Sequence, residues 1–584
     1  MLLTRLAEHA AQRSDLPPPY YRNRTVRWVI NIRSDGTPAA AELQDQAGSD
    51  QPAGQLIPAP YVYRSGQRPP AALLVDTLQY VVVLQPSDSE RDRAETGRRN
   101  RDYAALLARW RDSAPDDEVA RAVLAFFDAR HHLRIKVPGE AKPTDLVAVM
   151  VAGQWAHLRE SAISLWTSVV LERKSSAAGT GICLVCGQQA PLLDTIPEAV
   201  KSGAIPAGSG RGRDAQLVSV NKPAQGRAGK IQLASAPVCG KCGSAAMSAL
   251  NALLADETHR HRSADSVLVW WLREPADLDP LAWLNQPEPQ QVAKLIDELG
   301  KPHSETAASG VDANAFYAAT LSVNQSRVVV RDWLEVPLGQ LQAGIGGWFA
   351  GHQMTDLWRD GPQVVPLWLL ARAAGRWGTE NGQQRYLSAT APTGLERDLL
   401  LAALRGTRPP GYLLPRLLQR IRADGHIDIA RVALLRLILT RTPHVPKETC
   451  MPGLNPDAPS PGYQCGRMFA VLEQIQRAAL GEVNTTIADK FLPAATTTPR
   501  AILVMLNKNA SGHLRRLRRR SPGAYHALNS RLDEVLGHLG ADTNIPAVLD
   551  TEGQAQFILG YHHQRAADTA AARTRAQQQL TATT

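Results

Sequence analysis

Two short segments constrain the fold of this chain most strongly: CLVCG at residues 183–187 and CGKCG at residues 239–243. Each is a C-x2-C pair followed by glycine, which suits the tight turn that directs two thiolates toward one tetrahedral ion. Four thiolates close the coordination shell of Zn²⁺, so we expect a structural site rather than a catalytic one. Redox dithiols or packed thiols are the alternative. The predicted zinc ligands are Cys183, Cys186, Cys239 and Cys242.

Residues 187–238 separate the two pairs, a longer stretch than a compact zinc finger has, but acceptable for a zinc ribbon that carries an insertion. The stretch is rich in glycine and basic residues and has little periodicity. We therefore expect a zinc-tied insert over residues 176–260 with a flexible basic arm that follows phosphates, or else a solvated loop. The cations of the arm are Lys201, Arg211, Arg213, Lys222, Arg227 and Lys230, of which Arg211, Arg213, Arg227 and Lys230 are assigned to the nucleic-acid backbone.

The region before the insert, residues 1–175, mixes two kinds of pattern. WVINI at residues 28–32 predicts a strand followed by a turn, while apolar residues between 100 and 129 recur at helical spacing. This mixture predicts an N-terminal α+β domain.

Helical patterns increase after the insert. Residues 261–450 begin with a predicted strand at 267–272 and a predicted linker at 275–289, and then become mainly helical. Residues 451–584 are nearly all helical in pattern, with proline breaks, and predict a C-terminal helical bundle. The fold class expected is therefore α+β: an N-terminal α+β domain with a zinc-tied insert, followed by a helical bundle.

The chain is basic, with 65 Lys and Arg against 55 Asp and Glu and a formal net charge of +10. Such a balance favours polyanionic partners, although composition alone also produces basic chains. Near the C-terminus the charge is concentrated on one helical segment, where Leu514 and Leu517 are spaced to face a bundle. A phosphate-contacting stripe is favoured there over a merely solvated face. Its cations are Lys508, Arg515, Arg516, Arg518, Arg519 and Arg520.

The sequence provides no convincing catalytic motif. We find no HD pair, carboxylate cluster, P-loop or nucleophile elbow with supporting context. The adjacent histidines at 131–132 and 562–563 point to different faces, which favours packing over metal binding. We expect a binding protein and not an enzyme.

Six cysteines in 584 residues are too few for a disulfide framework and suit a reducing cytoplasm. The opening residues lack the pattern of a secretory signal, and the apolar stretches are too short or too polar to span a bilayer. A cytoplasmic protein without a membrane partner is expected.

Three segments near the C-terminus carry a family resemblance: GYQCGRMFAVLE at 462–473, NTTIADKF at 484–491 and FILGYHHQR at 557–565. They resemble, in order and spacing, the large subunit of the type I-C CRISPR-associated Cascade surveillance complex (Csd family). The opening residues, the segment 58–83 with its RSG and the block from CLVCG to VSVN at 218–221 are similar to that family too.

The resemblance implies a non-catalytic subunit at the 5′ end of the guide RNA that serves antiviral defence. It implies recognition of the protospacer-adjacent motif in duplex DNA, stabilisation of the displaced strand and recruitment of a helicase-nuclease, while base pairing reads the target. The other partners implied are the backbone and 5′-handle-binding subunits of Cascade. An internal start at Met451 or Met468 would produce a separate small subunit.

The resemblance further implies that the N-terminal region, residues 1–175, engages DNA, with the motif-reading surface near the RSG segment and the central block of the family. The residues assigned to the DNA side are Arg64, Ser65, Asp76, Gln79, Tyr80, Asn221 and Lys222. Zinc is inferred from the cysteines of this chain and not from the family, whose members often lack the second pair. The alternative function is a stand-alone zinc-ribbon enzyme that processes nucleic acid.

Overall fold

The computed structural model describes residues 1–61, 68–206, 214–299, 314–481, 484–540 and 545–583, without the side chains of 175–178 and 579–583. The chain forms two compact units. The first contains Met1–Arg273 and Tyr317–Leu334, and the second contains Glu274–Phe316 and Glu335–Thr584. The predicted α+β class with a C-terminal helical region is confirmed. The division into four regions stays a prediction.

The first unit carries most of the strands. Its helices are α1 Leu2–Ala11, α2 Leu78–Val81, α3 Glu90–Ser113, α4 Glu118–Asp128, α5 Glu160–Lys174 and α6 Gly240–Ala255. Its strands are β1 Tyr21–Val26, β2 Trp28–Ile32, β3 Gln44–Asp45, β4 Gln55–Pro60, β5 Val75–Thr77, β6 Leu146–Val151, β7 Gln154–Trp155, β8 Ser175–Ile182, β9 Gln189–Leu193, β10 Arg260–Arg262 and β11 Val267–Leu272. Two further strands, β12 Ala315–Asn324 and β13 Arg327–Pro337, complete a sheet of order β10-β11-β12-β13.

The core of the first unit lies against a sheet of order β3-β2-β6-β5, with β7 paired to β6. The predicted strand at 28–32 is β2, and it runs parallel to β6. Helices α3, α4 and α5 supply large aromatic side chains to this core, and the buried indole N–H groups are hydrogen bonded. Trp110 Nε1 donates to Ser161 Oγ (3.0 Å), and Trp166 Nε1 donates to the carbonyl oxygen of Tyr20 (3.1 Å).

The second unit is mainly helical. Its helices are α7 Pro280–Asn285, α8 Pro289–Glu298, α9 Leu338–His352, α10 Leu367–Ala373, α11 Leu395–Arg405, α12 Leu413–Asp424, α13 Ile429–Thr440, α14 Pro461–Leu480, α15 Ile487–Thr497, α16 Pro499–Arg520, α17 Pro522–Leu539 and α18 Thr551–Thr583. Its short strands are β14 Met354–Thr355, β15 Pro362–Gln363, β16 Trp377–Glu380 and β17 Gln383–Tyr386. The predicted linker at 275–289 is wrong in part, because Asp279 caps α7 through bonds from the N–H groups of Leu281 and Ala282.

The central contact of the second unit joins α14 to α18. Their backbones meet where glycine removes the side chain: a Cβ atom on Gly462 would lie 2.5 Å from the carbonyl oxygen of Gly553. A Cβ atom on Gly466 would overlap the carbonyl oxygen of Phe557, and one on Gly560 would overlap that of Tyr463. Because backbone atoms cannot move aside as a flexible side chain does, these positions require glycine.

Replacing Gly466 with alanine tests this contact. We expect Gly466→Ala to lower the free energy of unfolding by about 1–3 kcal/mol, the usual range for overpacking a filled core. Gly512→Ala is the matched control, since Gly512 lies inside α16 with open space around it. Alanine there should stabilise the chain by about 0.5–1 kcal/mol through helix propensity. Urea denaturation of both variants measures the difference, and equal effects would contradict the close contact.

Candidate functional site

The first cysteine pair lies at the tip of a hairpin formed by β8 and β9. Gly187 completes the turn with φ of +71°, and its N–H donates to the carbonyl oxygen of Cys183 (2.9 Å). A positive φ of this size is readily available to glycine, which explains the residue that follows the pair. The turn brings the thiols of Cys183 and Cys186 to the same side of the hairpin tip.

The second cysteine pair lies at the start of α6, where Cys239 is the N-cap residue. Backbone bonds fix this helix start beside the hairpin: Leu193 N–H donates to Val238 O (3.0 Å), and Leu184 N–H donates to Pro237 O (2.9 Å). The ligand atoms of Cys183, Cys186, Cys239 and Cys242 all lie within 4.8 Å of one another. The sequence prediction that the two pairs converge is confirmed, and this group of residues is called the cysteine cluster below.

The electrostatics of the cysteine cluster suit a cation. Burial raises the pKa of Cys183, but N–H donors from Cys186, Cys239 and Val185 outweigh it and bring the pKa to about 7. Two of these donors lie 3.4 Å (Val185) and 3.3 Å (Cys239) from the Cys183 sulfur. Burial, together with the neighbouring cysteines, raises the pKa of Cys242. Since a bound divalent cation reverses that effect and holds thiols as thiolates, the donor set fits Zn²⁺.

The cysteine cluster has no place for a reacting water if all four sulfurs bind one ion, because tetrahedral coordination is then complete. The metal would stabilise the fold and would take no part in catalysis. Leu3, Val185 and Ala190 pack against the cluster, so it also joins α1 to the hairpin. The residues present therefore fit a structural metal whose function is to hold the hairpin, α1 and α6 together.

Metal analysis of purified protein tests this assignment. We expect about one zinc per chain by inductively coupled plasma mass spectrometry. Cys242→Ser should abolish the zinc and lower the melting temperature, since a structural zinc contributes directly to folding. Cys465→Ser is the control, because Cys465 is buried in α14 outside the cluster. Zinc retained by Cys242→Ser, or absent equally from both variants, would contradict the assignment.

The predicted DNA-side residues fall into three groups. Arg64 and Ser65 lie outside the described residues. Asp76 and Tyr80 are 0% and 1% exposed, and Gln79 is 8% exposed. Asp76 accepts hydrogen bonds from the N–H groups of Ala72 (2.7 Å) and Thr77 (2.6 Å), and Tyr80 OH donates to Pro69 O (2.7 Å).

Through these bonds the buried side chains of Asp76 and Tyr80 support the neighbouring backbone. Their polar groups hold the backbone of residues 69–77, directly after the RSG segment, and lie in the protein rather than at its surface. A direct contact of Asp76 or Tyr80 with DNA bases would require them to leave the core. The third group, Asn221 and Lys222, lies on an exposed loop of the insert.

The basic arm is described only in part, because Arg211 and Arg213 lie outside the described residues. Arg227 and Lys230 are exposed in a stretch of short 3₁₀ turns. The structure thus brings Lys222, Arg227 and Lys230 onto one exposed stretch.

The cationic segment near the C-terminus is the last turns of α16. Leu517 is 3% exposed and faces the bundle, as its spacing predicts. Lys508 and the arginines on either side of Leu517 are exposed, and no described carboxylate forms an ion pair with these arginines. The exposed residues, called the arginine stripe below, are Lys508, Arg515, Arg516, Arg518, Arg519 and Arg520.

Sequence reasoning missed an exposed aromatic residue in the second unit. Trp358 is 76% exposed and borders a cavity of about 100 Å³. Arg477 and Arg565 also line this cavity, and each forms an ion pair with Glu473 (3.5 Å and 3.9 Å). Glu473 also accepts a hydrogen bond from Tyr561 OH (2.7 Å). An exposed aromatic ring is the type of side chain on which proteins stack unpaired bases. Nothing in the pattern around Trp358 distinguished it from a core residue.

The comparison with known families covers nearly the whole chain. A family model described as "CRISPR-associated protein (Cas_Csd1)" matches residues 3–568. The chain belongs to the Cas_Csd1 family. The resemblance predicted from the C-terminal segments is therefore confirmed. No curated protein matches the chain. None of the described helices combines the length and apolar character needed to cross a membrane.

The segments that carry the Cas_Csd1 resemblance pack against one another. Tyr463 OH lies 2.9 Å from His563 Nδ1 in a hydrogen bond, and Arg467 Nε donates to Gln564 Oε1 (3.0 Å). Arg467 is 1% exposed and also donates to Glu534 Oε1 (2.7 Å), so the buried cation is paired. These residues thus contribute to one packed interface between α14 and α18.

Proposed function

We propose that this chain is the large subunit of a type I-C Cascade. In that role it binds the 5′ region of the guide RNA and the target duplex, recognises the protospacer-adjacent motif, holds the displaced strand and helps to recruit the helicase-nuclease. The observation that carries the proposal is the family match over residues 3–568. Guide pairing would read the target sequence, so the protein itself needs only phosphate, motif and single-strand contacts.

The arginine stripe supports the phosphate contacts. Guanidinium groups at Arg515, Arg516 and Arg519 extend from a helix that Leu517 anchors in the bundle. Fixed cations on a rigid element bind phosphates by releasing condensed counterions, whatever the base sequence. The arginine stripe therefore suits contact with the sugar-phosphate backbone rather than recognition of the bases in the protospacer-adjacent motif.

Trp358 supports a contact with unpaired bases. Stacking on an exposed aromatic ring tolerates every base, and neighbouring arginines add to it. A displaced strand presents unstacked bases and phosphates together, which matches Trp358 beside Arg477 and Arg565. We assign this surface to the displaced strand.

A salt titration of duplex binding tests the arginine stripe. The triple variant Arg515→Ala, Arg516→Ala and Arg519→Ala should bind random duplexes more weakly and lower the slope of log K against log salt by about 1 for each phosphate that is no longer bound. The control removes three exposed arginines from α3 and α4 of the first unit: Arg109, Arg111 and Arg121.

Fluorescence anisotropy at several salt concentrations measures both variants. An equal change of slope in the two would mean that net charge alone acts, which contradicts a localised contact. Cleavage of the labelled duplex by the purified chain with Mg²⁺ or Mn²⁺ would instead favour the stand-alone nucleic-acid-processing enzyme.

A further inference from the structure

A cavity of about 430 Å³ lies within the first unit, beside the start of β1, the residues 198–204, the second half of α6 and the strand β10. Its volume falls within the roughly 300–1,000 Å³ of small-molecule sites. Lys201 of the basic arm lines it, whereas none of the DNA-side residues within the described part of the chain does. The contacts proposed above, at the arginine stripe and at Trp358, do not use this cavity.

The cavity is cationic. Arg22, Lys201, Arg260 and Arg262 contribute to its wall. Arg22 is paired with Asp214 (3.3 Å), and Arg260 is paired with Glu257. Lys201 and Arg262 are exposed, and neither forms an ion pair with a carboxylate in the described part of the chain. Arg262 also donates to the carbonyl oxygen of Gly203 (3.1 Å), which fixes its guanidinium group at the cavity wall. Cations placed together in this way attract a phosphate.

Apolar groups cover much of the remaining wall. They include Pro17, Leu56, Ala252, Leu254 and Ala255. Leu254 is a core residue of α6, so its position is fixed. A wall that combines apolar side chains with cations suits a ligand with one apolar part and one anionic part.

Glu198 adds an acceptor to this wall. It is 4% exposed, and its Oε1 accepts a hydrogen bond from Ser244 Oγ (2.6 Å). No described group donates to its Oε2 within hydrogen-bond geometry. Burial raises the pKa of Glu198 to about 7. A buried acceptor left without a donor costs free energy, and an N–H group on a ligand would remove that cost.

We propose that this cavity binds one unpaired nucleotide of a single-stranded nucleic acid. Lys201 and Arg262 contact its phosphate, the apolar wall contacts the base, and Glu198 accepts an N–H from the base edge. The amino groups of adenine, cytosine and guanine meet this requirement. The inference rests on the proposed function in one respect, since it takes nucleic acid to be the partner.

Photo-cross-linking of the full chain tests the cavity. The probes are octanucleotides of DNA and of RNA with a single 4-thiothymidine or 4-thiouridine beside a cytosine. Mass spectrometry of the digest should place cross-links on peptides that contain 198–204 or 251–262. Free cytidine or deoxycytidine monophosphate should compete, and the stronger competitor and probe identify RNA or DNA as the source.

Lys201→Ala with Arg262→Ala should lower probe affinity about tenfold by removing the phosphate contacts. The control is Lys136→Ala with Lys142→Ala, which removes two exposed lysines of the same unit outside the cavity. Glu198→Gln should reduce the preference for amino-bearing bases at an unchanged melting temperature.

Cross-links located elsewhere would contradict nucleotide binding in the cavity, and so would an equal fall in affinity in the Lys201/Arg262 variant and the control variant. This outcome is distinguishable from failure of the proposed function. If the chain joins a guide-loaded complex and supports duplex binding but shows no cross-link in the cavity, the proposed function stands. Only nucleotide binding in the cavity is then contradicted.

Discussion

The backbone contact between α14 and α18 is the constraint on which the second unit depends. Gly462, Gly466 and Gly560 allow the two helices to approach until main-chain atoms touch. At that separation Arg467 and Gln564 can meet, as can Tyr463 and His563. A larger separation would take the Gln564 acceptor away from the buried Arg467 guanidinium, which would keep its bond to Glu534. A buried donor left without its acceptor costs free energy. The arginine stripe and Trp358 lie on elements of this unit, so their positions depend on the same packing.

The cysteine cluster has the corresponding role in the first unit. It fixes the N-terminus of α6 against the hairpin of β8 and β9. One turn further along α6, Ser244 holds Glu198, and the last turns of the helix line the cavity. A single helix thus connects the predicted zinc site to the proposed nucleotide site. Because Asn251 and Ala252 of α6 line the cavity, a displacement of α6 on loss of the metal would move part of that lining.

Much of this organisation was predictable from local pattern. The spacing and glycines of the two cysteine pairs predicted their convergence, and the spacing of Leu514 and Leu517 predicted which face of α16 is buried. Both signals are local, because a turn or a helix face is specified by a few neighbouring residues.

The remaining features depend on long-range contacts. Asp76 and Tyr80 were predicted beside DNA, but both bond to backbone groups inside the protein. The same polar residue types serve for a buried hydrogen bond and for a surface contact with DNA, so the sequence does not distinguish the two. The cavity gathers residues from 17 to 262, and no pattern in the sequence connects them. The linker predicted at 275–289 contains a helix because Asp279 caps it and Pro280 occupies the first helical position, which suits proline. The buried side chains of Leu281 and Leu284 then hold it in place.

Duplex binding by a guide-loaded complex, reconstituted with and without this chain, tests the large-subunit assignment most directly. The targets carry a fixed match to the guide and a randomised flank, and bound molecules are sequenced. We expect binding to require the chain and bound targets to be enriched in a particular flanking motif. Binding that is unchanged without the chain, or shows no flank preference with it, would contradict the large-subunit assignment.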